Sequence, residues 1–204
     1  LHGASLIHDD IIDGSKWRRG LKSVHEEYGV NTAIVAADLL ISIAYNLISE
    51  LDKRIIQKIS EAGARMSQGE ALEEEITEPG LEDYFEIVDG KSSSLVEAAC
   101  FSSALLSGSS VEEAEHFGEY GLYSGRALQI RDDLLDYLEE GEKGLNVVRV
   151  LEKESGGDRF MAIEGAKRLG MEMVRRALEA IRFIDHPLRR VLEELTLTIF
   201  NRPY

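Results

Sequence analysis

The stretch VEEAEHFGEYGLYSGRALQIRDDLLDYLE, Val111 to Glu139, decides the fold class. Its apolar residues recur with helical spacing and never alternate with strand period. Ser110 stands immediately before it as a helix cap. Gly118, Gly121 and Gly125 recur at three and four residues, which allows another helix backbone to approach closely. Further on, Gln129, Asp132, Asp133 and Asp136 occupy one stripe. One long helix with a crowded small-residue face and an acidic patch is expected here.

The same spacing runs outward through nearly the whole chain. Helices are expected at Leu1–Ile12, Val24–Leu51, Asp52–Thr77 and Leu81–Leu106. In Val24–Leu51 the positions Val30, Ala33, Ala37, Leu40, Ala44 and Leu47 share a face and their neighbours are apolar too, so burial on most sides is predicted. Pro79-Gly80 closes the next helix, and its Glu73-Glu74-Glu75 end reads as a solvated face. In Leu81–Leu106, Lys91 falls on the register of Leu81, Tyr84, Val88 and Leu95, which points an ammonium where a core residue belongs. Beyond Gly141 shorter helices are predicted at Leu145–Glu154, Arg159–Leu169 and Glu172–Ile184, with a last one beginning at Pro187. A loop containing Gly14, Ser15 and Gly20 carries Trp17, Arg18 and Arg19, with Trp17 as a packing or anchoring residue. No low-complexity tract or linker divides the chain, so residues 1–204 are expected to form a single all-α domain.

Composition narrows the function. The 204 residues hold 23 basic against 38 acidic side chains, a net charge of −15. That balance argues against a nucleic-acid surface and against acidic lipids. A phosphorylated substrate would need metal ions to bridge it to so acidic a protein. The single cysteine, Cys100, forms no internal disulfide; it fits a reducing, cytoplasmic setting and reads as an inert packing residue. No signal peptide is visible. The longest apolar stretch, Thr32 to Ile48, contains Asp38 and is short for a membrane span, so a buried core helix is expected.

Two acidic runs carry the chemistry. Leu6-Ile7-His8-Asp9-Asp10-Ile11-Ile12-Asp13 and Gln129-Ile130-Arg131-Asp132-Asp133-Leu134-Leu135-Asp136 share the pattern DDxxD. On a helix, Asp9 and Asp13 stand one turn apart, and like charges so placed destabilise it by roughly 0.2–0.5 kcal/mol per pair. A cation is therefore expected on them. One such motif is a weak signal, since acidic triplets usually face solvent; two at identical spacing, each among Ile and Leu, are harder to dismiss. Magnesium suits the site because it takes oxygen ligands and is completed by substrate phosphates. Arg18, Arg19 and Lys91 suit diphosphate oxygens. A di-iron bundle is the rival metal reading, but it needs Glu-x-x-His on each of two helices. Only Glu113-Ala114-Glu115-His116 matches, among surface-like acids. His8 reads as a supporting or core histidine rather than a ligand. Neither a Gly-rich phosphate loop nor a Ser/His/Asp order is present.

Taken together these motifs resemble the trans-type isoprenyl diphosphate synthases, or polyprenyl synthetases, over Leu1 to Tyr137. His2 through Asp13 is similar to the first aspartate-rich motif of that family, and Arg18-Arg19-Gly20 follows at the family's distance. Tyr28-Gly29 and Ala36-Ala37-Asp38 resemble its next helix, Lys91-Ser92 its Lys-Thr, and Gln129 through Asp136 its second aspartate-rich motif. The resemblance implies antiparallel helices around a central cavity and a homodimer, with Val24–Leu51 as a candidate interface. It implies that Asp9, Asp13 and Asp132 bind magnesium directly, with Asp10, Asp133 and Asp136 completing or supporting the sites. Arg18, Lys91 and Gln129 would hold an allylic diphosphate with Ser92 nearby, and Arg19 would face isopentenyl diphosphate. The implied reaction is a head-to-tail (1′–4) condensation, with catalysis through stabilisation of the leaving group in a dry cavity.

The chain departs from the family pattern in two places. The family's upstream Gly-Gly-Lys…Arg segment, which supplies a Lys, an Arg and a His for isopentenyl diphosphate, is absent before Leu1. After Asp136 the stretch through residues 140–146 is too short for the family's Gly-Lys…Asp-Leu…Gly-Lys, with Lys143 as its remnant. The 204 residues are therefore expected to be part of a longer polypeptide. A non-catalytic partner subunit, and a helical cyclase or head-to-head synthase, are the competing readings. Two complete aspartate motifs argue against the first, and Arg18-Arg19 with Lys91-Ser92 against the second.

Product length is also legible. Ala4 and Ser5 lie about one helical turn, roughly 5.4 Å, before Asp9, similar to the reach of one isoprene unit. Small residues there leave room for a tail of twenty carbons or more. Ala4→Phe or Ser5→Phe is expected to shorten the product in chromatography of the prenyl chains; unchanged length in both would remove these residues from the argument.

Overall fold

The computed structural model describes residues 1–139, 144–187 and 189–201. These fall into two compact units, Leu1–Ile56 and Gln57–Tyr204. Helices dominate both, as the apolar spacing requires.

In the first unit α1 (His2–Ile12) leads into a short antiparallel hairpin, β1 (Trp17–Arg18) and β2 (Leu21–Lys22). Its two-residue turn is Arg19-Gly20, with φ of 52° and 81°. Positive φ at both positions gives the turn whose twist matches paired strands, and it strains the non-glycine member. Sequence pattern indicates only a loop here, because two-residue strands are too short to show alternation. Of the packing and anchoring roles that it allows Trp17, burial is not one the residue fulfils, since it is 65% exposed on the hairpin.

The predicted helix Val24–Leu51 is two helices, α2 (Val24–Tyr28) and α3 (Val30–Ile48), broken at Gly29 with φ 85°. That backbone conformation is open to glycine and interrupts any helix. Nor is α3 buried on most sides. Only Ala33 and Ala37 are enclosed, in a helix that packs on α1, while Val35, Leu39 and Leu47 stand open to solvent. Small residues four apart let α1 come close, and this unit has no second helix layer to cover the opposite apolar face. With 19 residues and a mean hydropathy of 1.5, α3 is long and apolar enough to cross a membrane by length and composition alone.

The second unit is built on α7 (Val111–Leu138), the helix expected at 111–139. Ser110 caps it: its Oγ accepts from Glu113 N at 3.2 Å, and Glu113 Oε2 accepts from Ser110 N at 2.8 Å. Before it come α4 (Lys53–Glu75), whose first turn belongs to the other unit, α5 (Leu81–Val88) and α6 (Ser94–Leu106). The run Leu81–Leu106 is continuous but holds a π-helical turn at Asp89–Ser93. After α7 come α8 (Val147–Glu154), α9 (Arg159–Ala180) and α10 (Arg189–Asn201). Of the shortened stretch at 140–146, residues 140–143 with Lys143 lie outside the described residues, as does Leu188. The last helix starts at Arg189 rather than Pro187.

The two helices expected at 159–169 and 172–184 are one, α9. Gly170 does not break it. A Cβ there would collide with the Phe200 ring, so the glycine is the seat on which α10 rests that ring. Tyr120 secures the same helix, its hydroxyl 2.8 Å from Thr196 Oγ1. The core gathers Tyr84, Ile130, Leu134, Val147, Val148 and Val174 beneath α7, α8 and α9.

The glycines of α7 do what their spacing suggests, in two cases of three. A Cβ on Gly121 would meet Val96 O at 2.6 Å, and one on Gly125 would meet Ser93 Cα at 3.0 Å. On Gly118 it would find only ordinary contact, with Phe101 Cβ at 3.5 Å. Gly121→Ala should therefore push α6 from α7 and cost about 1–3 kcal/mol, lowering the melting midpoint by several degrees in calorimetry. Gly165→Ala, which meets only the flexible tip of Leu151 at 3.3 Å, should be neutral or stabilising.

Candidate functional site

The π-helical turn resolves the conflict at Lys91 between its charge and its apolar register. A π turn inserts extra length into a helix and shifts the phase of the residues after it. Lys91 is thereby taken off the apolar row of α5, and its Nζ lies 2.5 Å from Glu73 Oε2 and 3.0 Å from Glu70 Oε2 on α4. Burial works against the ammonium, but the hydrogen bonds to Glu73 and Glu70 outweigh it and hold the Lys91 pKa above its usual value. Glu73 is thus not part of a solvated face, and sequence reasoning missed both glutamates. Their spacing of one turn beside Gly69 was the available signal. Neighbouring Asp89 forms a two-pronged pair with Arg126 of α7, Nε to Oδ1 at 2.6 Å and Nη2 to Oδ2, and the guanidinium lies 5.1 Å from the Phe85 ring centroid.

From the same turn Ser92 Oγ donates to Gln129 Oε1 at 3.3 Å, and Gln129 Nε2 donates to Asp133 Oδ1 at 2.9 Å. The other oxygen of Asp133 accepts from Val147 N at 2.8 Å. Asn146, a further residue that sequence reasoning missed, donates from Nδ2 to the Asp133 carbonyl at 2.8 Å and caps α8 through Oδ1. Asp133 is 2% exposed. Burial raises its pKa, and the Val147 and Gln129 donors pull the other way. Its carboxylate in turn adds to the effect of burial in raising the pKa of the enclosed Tyr84 phenol.

The other two aspartates of the second motif face outward. Asp136 is exposed, and Asp132 is half-buried with Oδ1 3.3 Å from Arg131 Nη1. Burial raises the Asp132 pKa, Arg131 opposes the rise and the like charge of Asp136 adds to it. An added cation would relieve this crowding.

The first motif repeats the division. Asp10 is 3% exposed and accepts from Arg18 Nε at 2.7 Å. Its carbonyl also accepts from Ser15 N at 2.9 Å, so the middle aspartate ties the hairpin to α1. Asp9 and His8 are half-buried, and Asp13 is exposed at the C-cap of α1. Arg19 is exposed at the hairpin tip. Ala4 is buried, and Ser5 is half-buried with its hydroxyl on the His2 carbonyl at 2.9 Å.

The outward carboxylates are hard oxygen donors, the set magnesium prefers. No three His, Cys, Asp or Glu side chains converge on a metal position among the described residues. The Glu113–His116 alternative scatters: Glu113 caps α7, Glu115 pairs with Lys58 and His116 lies against Phe183. Two open clefts of the second unit, of about 630 and 500 Å³, are lined by Tyr123, Arg176 and Phe183 and by Arg65, Glu86 and Asp89, away from Asp132 and Asp136.

A predominantly helical chain with one DDxxD motif in each unit and a lysine on a π turn has the marks of an isoprenyl synthase. The polyprenyl synthetase family model matches residues 1–148, and the chain belongs to that family. It is 37% identical over 141 residues to geranylfarnesyl diphosphate synthase of Methanosarcina mazei, covering 68% of this chain and 48% of that protein. It is 34% identical over 152 residues to octaprenyl diphosphate synthase of Escherichia coli, covering 72% and 47%. Among solved structures, the geranylgeranyl pyrophosphate synthetase of Geoglobus acetivorans superposes with a TM-score of 0.88 at 28% identity, over 98% of this chain and 77% of that one. The chain spans about half the length of the curated relatives it matches. Enzymes of the family use a divalent metal.

The inward and outward aspartates should respond differently to neutralisation. Asp133→Asn leaves buried donors short of an acceptor and should cost about 1–3 kcal/mol of stability in denaturant titration. Asp136→Asn should leave the titration unchanged within roughly 0.5 kcal/mol.

Proposed function

We propose that the chain is the catalytic part of a magnesium-dependent trans-prenyltransferase. It condenses isopentenyl diphosphate head-to-tail (1′–4) with an allylic diphosphate to give a trans-prenyl diphosphate of twenty carbons or more. One observation carries the reading: both DDxxD motifs bury and bond their middle aspartate, Asp10 or Asp133, and leave the first aspartate half-buried and the last exposed. Surface acids without a ligand have no reason to be organised that way twice. The products named for the related synthases support the chain length.

Asp9, Asp13, Asp132 and Asp136 are the residues that would hold magnesium, with Asp10 and Asp133 as their supports. When bound, magnesium supplies positive charge that neutralises the diphosphate and makes pyrophosphate a better leaving group. Arg18, with its Nε fixed by Asp10, and Lys91 add cationic donors for the allylic diphosphate. In the unit that carries Lys91, Gln129 and Ser92 are joined by a hydrogen bond that aligns the amide and the hydroxyl. Arg19, at the hairpin tip, faces isopentenyl diphosphate. The allylic carbon–oxygen bond breaks to release pyrophosphate, the isopentenyl double bond attacks the allylic cation, and the departing pyrophosphate takes the proton. Stabilisation of the developing negative charge is the main catalytic contribution of these side chains.

Ser5 is the better probe of product length than Ala4, because a phenylalanine at the enclosed Ala4 would also disturb packing. The protein acts in the cytoplasm as a homodimer; the open apolar side of α3 supports a second copy as its cover. Sedimentation as a monomer at high concentration would remove that part.

Incubation with magnesium, isopentenyl diphosphate and allylic diphosphates of increasing length should release pyrophosphate and give longer prenyl diphosphates. Chelation should abolish release, and Asp132→Asn should lower it by about a hundredfold or more. No release from any allylic primer would overturn the proposal.

A further inference from the structure

The geometry points to Glu70 and Glu73 as positioning residues that hold the Lys91 ammonium in place for a diphosphate, a role that rests on the prenyltransferase reading above. The two carboxylates are one turn apart on α4 and both reach one nitrogen, at 3.0 and 2.5 Å. Their side chains are 17% and 28% exposed, whereas Glu74 and Glu75 next to them are open to solvent.

The mounting is rigid on both sides. A Cβ on Gly69 would lie 2.9 Å from Lys91 N, and one on Gly90 would lie 2.7 Å from Arg65 O. The backbone of α4 and that of the π turn therefore touch directly, and the distance from Glu70 and Glu73 to Lys91 is set by main chain. Lysine is a point charge on a flexible four-carbon stem. Two anchors remove most of that freedom before substrate arrives, so the ordering cost is met in folding rather than at each turnover.

Glu70 and Glu73 take two of the three donors of the ammonium, which leaves one for a diphosphate oxygen. Neither glutamate touches substrate in this scheme; both act through Lys91.

The test uses the full 204-residue chain with ¹⁵N-labelled lysine. An ammonium held by two acceptors exchanges slowly and gives an Nζ–H cross-peak in nitrogen-15 NMR, which Lys91→Gln assigns by its loss. In Glu70→Gln/Glu73→Gln the peak should vanish, and kcat/KM for the allylic diphosphate should fall by at least about tenfold. KM for isopentenyl diphosphate should stay within about twofold, because uniform binding of that substrate is untouched. Glu74→Gln, on the exposed face, should change neither measurement. If the double variant does not fold, each single Gln variant is read in the same way, with a broadened peak expected. A Lys91 peak that persists unchanged in the Gln variants overturns the inference, as does a lost peak with kcat/KM unaltered. Absence of turnover in the unsubstituted chain would sink the prenyltransferase reading instead, and the NMR result would still decide whether the glutamates hold Lys91.

Discussion

The second unit depends on one close contact, the backbone of α4 against the π turn at Gly69 and Gly90. No side chain can enter there, since a Cβ on either glycine would collide with main chain. Three consequences share that origin. Lys91 is brought to Glu70 and Glu73, Asp89 is set against Arg126, and Ser92 is turned to Gln129. On the other side of the turn, Gly125 of α7 approaches Ser93 with the same economy. Lys91 is thus mounted on a turn held between two helix backbones rather than on a loop. Such close-packed scaffolds transmit little slack to the groups they carry.

Charge follows a consistent division of labour. In each acidic motif the central carboxylate faces inward and is satisfied, Asp10 by Arg18 and Asp133 by Gln129 and the Val147 amide. An inward carboxylate without such donors would carry a large desolvation penalty. In the second motif the Asp132 pKa is raised, by burial first and then by the like charge of Asp136. The −15 net charge makes the same point at larger scale, since an anionic substrate has to come with counter-charge.

Much of this is readable in the chain. Helical spacing locates α1, α4, α7 and α8 to within a few residues, because each carries an apolar stripe and clear end signals. The Ser110 cap and the close approaches at Gly121 and Gly125 are also legible, each being a local rule with a local cause. Failures come where local and distant effects compete. Gly29 breaks a helix but Gly170 does not, although both are glycines inside stretches of helical spacing. Gly29 occupies a positive φ, while Gly170 keeps helical geometry and is needed for the space taken by Phe200. Residue identity cannot separate those reasons.

The sequence by itself determined the all-α class, the two DDxxD motifs, their oxygen-ligand chemistry and the family resemblance, since these depend on residue type at fixed spacing. Tertiary structure decided which aspartate of each trio turns inward, which glutamates take Lys91, and that α3 leaves most of its apolar surface open. Those outcomes depend on what lies opposite, and the partner is separated by many residues: Lys91 is 18 from Glu73, and Asp133 is 14 from Val147. Periodicity describes one helix at a time. The π turn at Asp89–Ser93, which shifts the phase of the helix that carries it, is set by the neighbouring backbones.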